Sequence, residues 1–128
     1  MVTDKNLMRG IRGATTVEKD CPVEIASAAF TLFETMMEKN RLEPDDVTAL
    51  FITVTPDLQS AFPAQAIRQV EKYRYLPIMC AQEIPVEGAL DRCIRLMLIA
   101  FCPDTELKNV HHVYLGQAWA LRTDLDGD

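Results

Sequence analysis

The chain reads as an α+β protein, a mixed β-sheet with two helices packed on one face. Two observations carry this reading. Five stretches are short apolar or β-branched runs of strand length, whereas only two show the three- and four-residue apolar spacing of an amphipathic helix. The elements follow in the order β-α-β-α-β-β-β, which suits a sheet with helices gathered on one side rather than alternating βα units. The 128 residues suit one domain over the whole chain, 1–128, with a single core.

Met8 to Val17, MRGIRGATTV, is the first expected strand. It carries Arg9 and Arg12 beside Gly10 and Gly13, and glycine in a strand marks either a bulge or a close approach by a ligand or another backbone. No G-x-x-x-x-G-K follows, so this is not a phosphate loop. Asp20, Pro22 and Glu24 then form a helix start, and Ile25, Ala28, Ala29, Leu32, Phe33, Met36 and Met37 line one face through to Asn40. That stripe is assigned to packing. Pro44 breaks the helix, and Val47 to Thr55, VTALFITVT, is the second strand, closed by Pro56-Asp57.

Pro63 stands where a short helix begins, with Ala64, Ile67 and Val70 on one face and Arg68 near its middle. By default Arg68 is a solvated charge. Leu76 to Ala81 is the third strand and leads into Gln82-Glu83. The fourth contains Cys93-Ile94-Arg95-Leu96-Met97-Leu98-Ile99, a run apolar enough to read as buried on both faces. His112 to Leu121 is expected to form the last strand. Residues 1–7 and 123–128 are expected to be mobile, the latter on its acidic and glycine content.

Within that fourth strand Arg95 is the anomaly. Guanidinium stays charged at ordinary pH, so burying it alone costs at least several kcal/mol. Its partner is either Glu83, as a structural ion pair, or an anionic ligand held in a cleft. Two helices also leave part of the sheet's apolar surface uncovered, which points to self-association.

Composition excludes several function classes. A net charge of −6 with 25% charged residues gives no standing affinity for nucleic acid or anionic membranes, so an anion must be attracted locally. The sequence shows neither a secretory signal nor an apolar run near the ~20 residues of a membrane span, and a cytoplasmic location is expected. Cys21, Cys80, Cys93 and Cys102 form no C-x-x-C pair and are read as reduced thiols. A zinc site drawn from Cys80, Cys93, Cys102 and His111-His112 matches no common ligand spacing. Neither metal nor cofactor is expected.

Several unlinked motifs then fall in one order: RGIRGATTVE from Arg9 to Glu18, TPDL from Thr55, FPA from Phe62, CAQE from Cys80 to Glu83, CIR from Cys93 to Arg95, HVYL from His112 and ALR ending at Arg122. Together they closely resemble the monofunctional AroH-class chorismate mutases, from Met8 to about Leu125. The resemblance implies a homotrimer with active sites at subunit interfaces that rearranges chorismate to prephenate in phenylalanine and tyrosine biosynthesis. It carries Arg12, Phe62, Arg68, Met79, Cys80, Glu83, Arg95, Tyr114 and Leu121 over as pocket positions. Among these, Arg95, Glu83 and Arg12 are the expected catalytic residues. Cys80 is read as a small polar wall, Phe62 and Leu121 as apolar walls, and Tyr114 as a partner of Arg12 in holding a carboxylate. Many members carry lysine after FPA, where this chain has Gln65, which leaves Arg68 as the nearer cation for attracting the substrate. Two other functions stay open on the residues alone: a trimeric module that binds a small carboxylate without turnover, and an imine- or enamine-hydrolysing enzyme using a water near Glu83.

Overall fold

The computed structural model describes residues 7–103 and 105–120. One five-stranded mixed sheet organises it, built from β1 (Met8–Thr16), β2 (Val47–Val54), β3 (Ile78–Gln82), β4 (Cys93–Phe101) and β5 (Val113–Tyr114) in the spatial order β3-β2-β4-β1-β5. The central β4 runs antiparallel to both β1 and β2, and the edge strands β5 and β3 pair in parallel with β1 and β2. Two helices, α1 (Pro22–Lys39) and α2 (Ala64–Arg68), pack on one side.

Strand alternation divides the sheet into a covered face and an open one. Ile11, Leu50, Ile52, Ile94, Leu96 and Leu98 point to the covered face and are buried, packed with Ile25, Leu32, Phe33 and Met36 of α1 in the main core. At Gly13 the helix comes closest. A Cβ there would run into Met36 Sδ and lie 3.1 Å from Leu32 Cδ1, so glycine sets the separation between helix and sheet.

The open face corrects one expectation. β4 is buried on one side only, because Phe101 and Met97 on the other side remain 38% and 37% exposed and Arg95 is half-buried. Two helices suffice for one face of a sheet this wide and cannot wrap to the second.

Helix α1 begins at Pro22 with Cys21 at the N-cap and no side-chain cap bond. Asp20, read as part of the helix start, instead accepts hydrogen bonds from Gln59 N, Ser60 N and Ser60 Oγ at 3.1, 3.0 and 2.7 Å. The Ser60 hydroxyl holds this carboxyl below its ordinary range. Glu24 does belong to the start, its Oε1 accepting from Glu18 N and Lys19 N. Arg68 ends α2 rather than sitting near its middle.

The last strand is far shorter than His112 to Leu121. Only Val113 and Tyr114 pair with β1, and residues Gly116–Ala120 turn into a 3-10 helix. Gly116 takes φ +60, Gln117 N donates to Thr16 Oγ1 at 3.0 Å, and the chain curls under the end of β1 instead of extending. Leu7, placed with the mobile leader, is tied down by Cys102 N donating to its carbonyl at 2.8 Å. The remaining leader and the tail from residue 121 lie outside the described residues.

Candidate active site

The open face is where the charged side chains gather. Arg12 lies opposite Met97 and Ala14 opposite Arg95 across the β1/β4 ladder, so the two arginines are diagonal neighbours on one face, within reach of long side chains. Tyr114 stands beside Ala14 on the other flank. On the far side of β4, Thr53 is in register with Arg95 and Ala81 with Thr53. Glu83, two residues beyond Ala81, therefore reaches the same face. Arg12, Ala14, Thr53, Arg95 and Tyr114, with Phe51 and Met97 as apolar walls, line a cleft of about 260 Å³.

Glu83 is the hub of its charge. Its Oε2 accepts from Arg95 Nε at 2.9 Å and from Thr53 Oγ1 at 2.7 Å. The structural ion pair is thus made, yet it engages only the Nε edge of Arg95, so the terminal amino groups remain the end of the guanidinium that a ligand would meet. Arg12 donates its backbone N–H to His112 Nδ1 at 2.9 Å. Its Nε is buried and has no hydrogen-bond partner among the described residues, an arrangement that suits an anion arriving from outside. Arg9 differs, its Nε held by Thr105 O at 2.9 Å. Two guanidinium groups against one carboxylate leave the cleft locally cationic in a chain of net charge −6.

The structure brings Arg12, Glu83, Arg95 and Tyr114 together and leaves the other expected positions apart. Met79 is next to Phe51 on the open face but two-thirds exposed. Cys80 is in register with Ile52, so its side chain points away from that face; it is exposed. Phe62 is 75% exposed ahead of α2, and Arg68 is exposed at the end of α2. Neither lines the cleft. Leu121 lies outside the described residues.

Thr53, Phe51 and Met97 are cleft residues that sequence reading missed. The signal was present in the alternation: residues two apart from an anomalous charge, and their partners on neighbouring strands, share its face. Among the described residues no group of three or more His, Cys, Asp or Glu side chains is placed to hold a metal ion. The zinc arrangement drawn from Cys80, Cys93, Cys102 and the two histidines is therefore not assembled among them. Nor is any helix among them long and apolar enough to cross a membrane.

Residues 8–125 match the model of the chorismate mutase type I family. The chain is 42% identical over 119 residues to chorismate mutase AroH of Bacillus subtilis, covering 93% of each chain. It is 45% identical over 121 residues to chorismate mutase AroH of Thermus thermophilus, covering 94% of this chain and 98% of that one. Among solved structures, a chorismate mutase from Clostridium thermocellum superposes with a TM-score of 0.80 at 43% identity, over 85% of this chain and 96% of the other. A cationic cleft on the bare face of this sheet thus sits in a chain that belongs to the chorismate mutase type I family.

Proposed function

We propose that this chorismate mutase converts chorismate to prephenate by shape and fixed charge alone, in a pocket completed by a neighbouring copy of the chain. The observation that carries the reading is the convergence of Arg12 and Arg95 on one cleft, with Arg95 oriented through Glu83. Chorismate carries two carboxylates, a ring hydroxyl and an ether bridge, and its rearrangement is an intramolecular 3,3-shift. Such a reaction needs no nucleophile and no proton transfer. The pocket has to hold the enolpyruvyl arm over the ring with the reacting carbons about 3–3.5 Å apart, and to meet the charge that develops as the ether bond breaks.

Arg95 is assigned to that charge, which gathers on the ether oxygen because carbon–oxygen cleavage runs ahead of carbon–carbon bond formation. A preorganised donor aimed at developing charge contributes on the order of 2.7–4 kcal/mol to the barrier. Arg12, with its buried Nε, is assigned to a substrate carboxylate, with the Tyr114 phenol beside it. Glu83 accepts from the ring hydroxyl through Oε1, since Oε2 is already taken by Thr53 and Arg95.

A homotrimer accounts for the residues that stand apart. Phe51, Met97 and Phe101 leave apolar area on the open face, and a second copy is the surface that would cover it. In such an assembly the exposed Phe62 and Arg68, which do not line the cleft of their own chain, would be the groups offered to the Arg95 cleft of a neighbouring copy. Four free thiols, Cys21, Cys80, Cys93 and Cys102, suit the reducing cytoplasm.

The test is loss of chorismate absorbance with purified protein in the presence of a chelator, with prephenate identified as product. Turnover is expected to persist without metal, to stay nearly flat with pH around neutrality, and to fall at least ~10²-fold in kcat/KM for a correctly folded Arg95→Lys variant, which keeps the charge and loses the planar fork. Chorismate that binds and survives unchanged would replace the isomerase with a carboxylate-binding module. A bell-shaped profile for the chemical step, or wild-type rates in Arg95→Lys, would overturn the mechanism.

A further inference from the structure

We infer that Thr53 is a positioning residue of the reaction, its hydroxyl locking Glu83 and, through Glu83, the guanidinium of Arg95. The inference rests on the reading of Glu83 and Arg95 given above and adds a residue to it. Thr53 stands in the middle of the site's geometry: it is in register with Arg95 on β4 and with Ala81 on β3, and it lines the cleft itself. Its Oγ1 donates to Glu83 Oε2 at 2.7 Å, shorter than the 2.9 Å from Arg95 Nε to the same oxygen.

The need for such an anchor follows from how Arg95 and Glu83 meet. Their contact is a single Nε to Oε2 bridge, with the side chains 39% and 17% exposed, and not the two-point fork that fixes an arginine against a carboxylate. One contact between two long, partly solvated side chains leaves both free to swing, and such pairs contribute little by themselves. Thr53 supplies the second point. Threonine is branched at Cβ and stiff at χ1, and it sits within a paired strand, so its hydroxyl is fixed to the backbone of the sheet. With two donors on Oε2, the carboxylate plane is set and Oε1 is directed at the ligand. The terminal amino groups of Arg95 are aimed in turn. Because threonine is neutral, it orients the pair without adding to or cancelling the charge of the cleft.

A strand threonine with no role beyond packing would affect folding and not the chemical step. Thr53→Val keeps the shape and removes the donor, and the expected result is a kcat lowered about 10-fold with KM within about 3-fold, as for a small misplacement of a transition-state group. Thr53→Ser, which restores the hydroxyl but not the methyl, is expected to recover kcat to within about 3-fold of wild type. In a Glu83→Ala background the hydroxyl has lost its acceptor, so Thr53→Val should cost less than about 2-fold more, the non-additivity of residues that act as a unit. If Thr53→Val does not fold, Thr53→Ala supplies the same comparison. Wild-type kcat in a folded Thr53→Val or Thr53→Ala variant, or effects that simply multiply with Glu83→Ala, would overturn the inference while leaving Glu83 and Arg95 in place. Full activity in Glu83→Ala would instead remove the reading on which the inference rests.

Discussion

Arg95 was conspicuous in the sequence because a permanent charge inside Cys93-Ile94 and Leu96-Met97-Leu98 demands a partner, and both proposed answers bear on the structure. It pairs with Glu83, and it also borders an open cleft. Thr53 was invisible for the opposite reason, since threonine in a strand is ordinary and only register reveals that it faces Arg95. Beside Arg95, Cys93 shows how strongly the same strand end is desolvated. Burial pushes its thiol up to about 11, against a smaller downward pull from Arg95. A folded-state pKa raised above the unfolded one means this group holds its full stabilising effect below about pH 8.5–9 and loses it as pH rises toward 11, because only the unfolded thiol ionises in that window. Comparing urea midpoints at pH 8 and pH 10, wild type is expected to lose about 1 kcal/mol more than Cys93→Ala. Equal losses would show that Cys93 stays protonated no more readily in the fold than out of it.

At the scale of elements, what was legible followed from uninterrupted periodicity. Helix α1 runs from Pro22 to Lys39 much as its apolar spacing from Ile25 to Met37 requires, β1 and β2 fall where their β-branched runs place them, and β4 where its apolar run does. The errors came where tertiary contacts override local pattern. His112 to Ala120 alternates well enough for a strand, yet β1 offers β5 only Gly13 and Ala14, and Thr16 Oγ1 then captures Gln117 N and starts a 3-10 turn. β4 is buried on one face only, because an apolar run shows that a strand can be buried on both faces and not that the chain has elements to cover both. The joint between α1 and β1 makes a sharp prediction. Since a methyl at residue 13 would strike Met36 Sδ and crowd Leu32 Cδ1, Gly13→Ala is expected to destabilise the fold by about 1–3 kcal/mol, the usual cost of overpacking. Thermal unfolding of the variant checks this, and an unchanged midpoint would mean that Met36 swings aside freely.

For the whole molecule, one sheet face is sealed by two helices and the other presents arginines among exposed Phe51, Met97 and Phe101. Fold class and the pairing of Arg95 with Glu83 could be read from the residues themselves, whereas Arg12 and Tyr114 were brought to the site by the family resemblance. Phe62 and Arg68 do not line the cleft, and no periodicity within one chain encodes what a second copy would add to it. If each pocket takes Arg95 from one chain and Arg68 from the next, two crippled chains should repair each other. The most direct measurement is the activity of hybrids made by unfolding and refolding Arg95→Lys and Arg68→Ala chains together, each variant being deficient alone. Random assortment around a cyclic trimer gives about one site in four both native residues, so recovery to about a quarter of wild-type kcat is expected. Hybrids that form and remain as inactive as their parents would contradict a pocket shared between chains in this way.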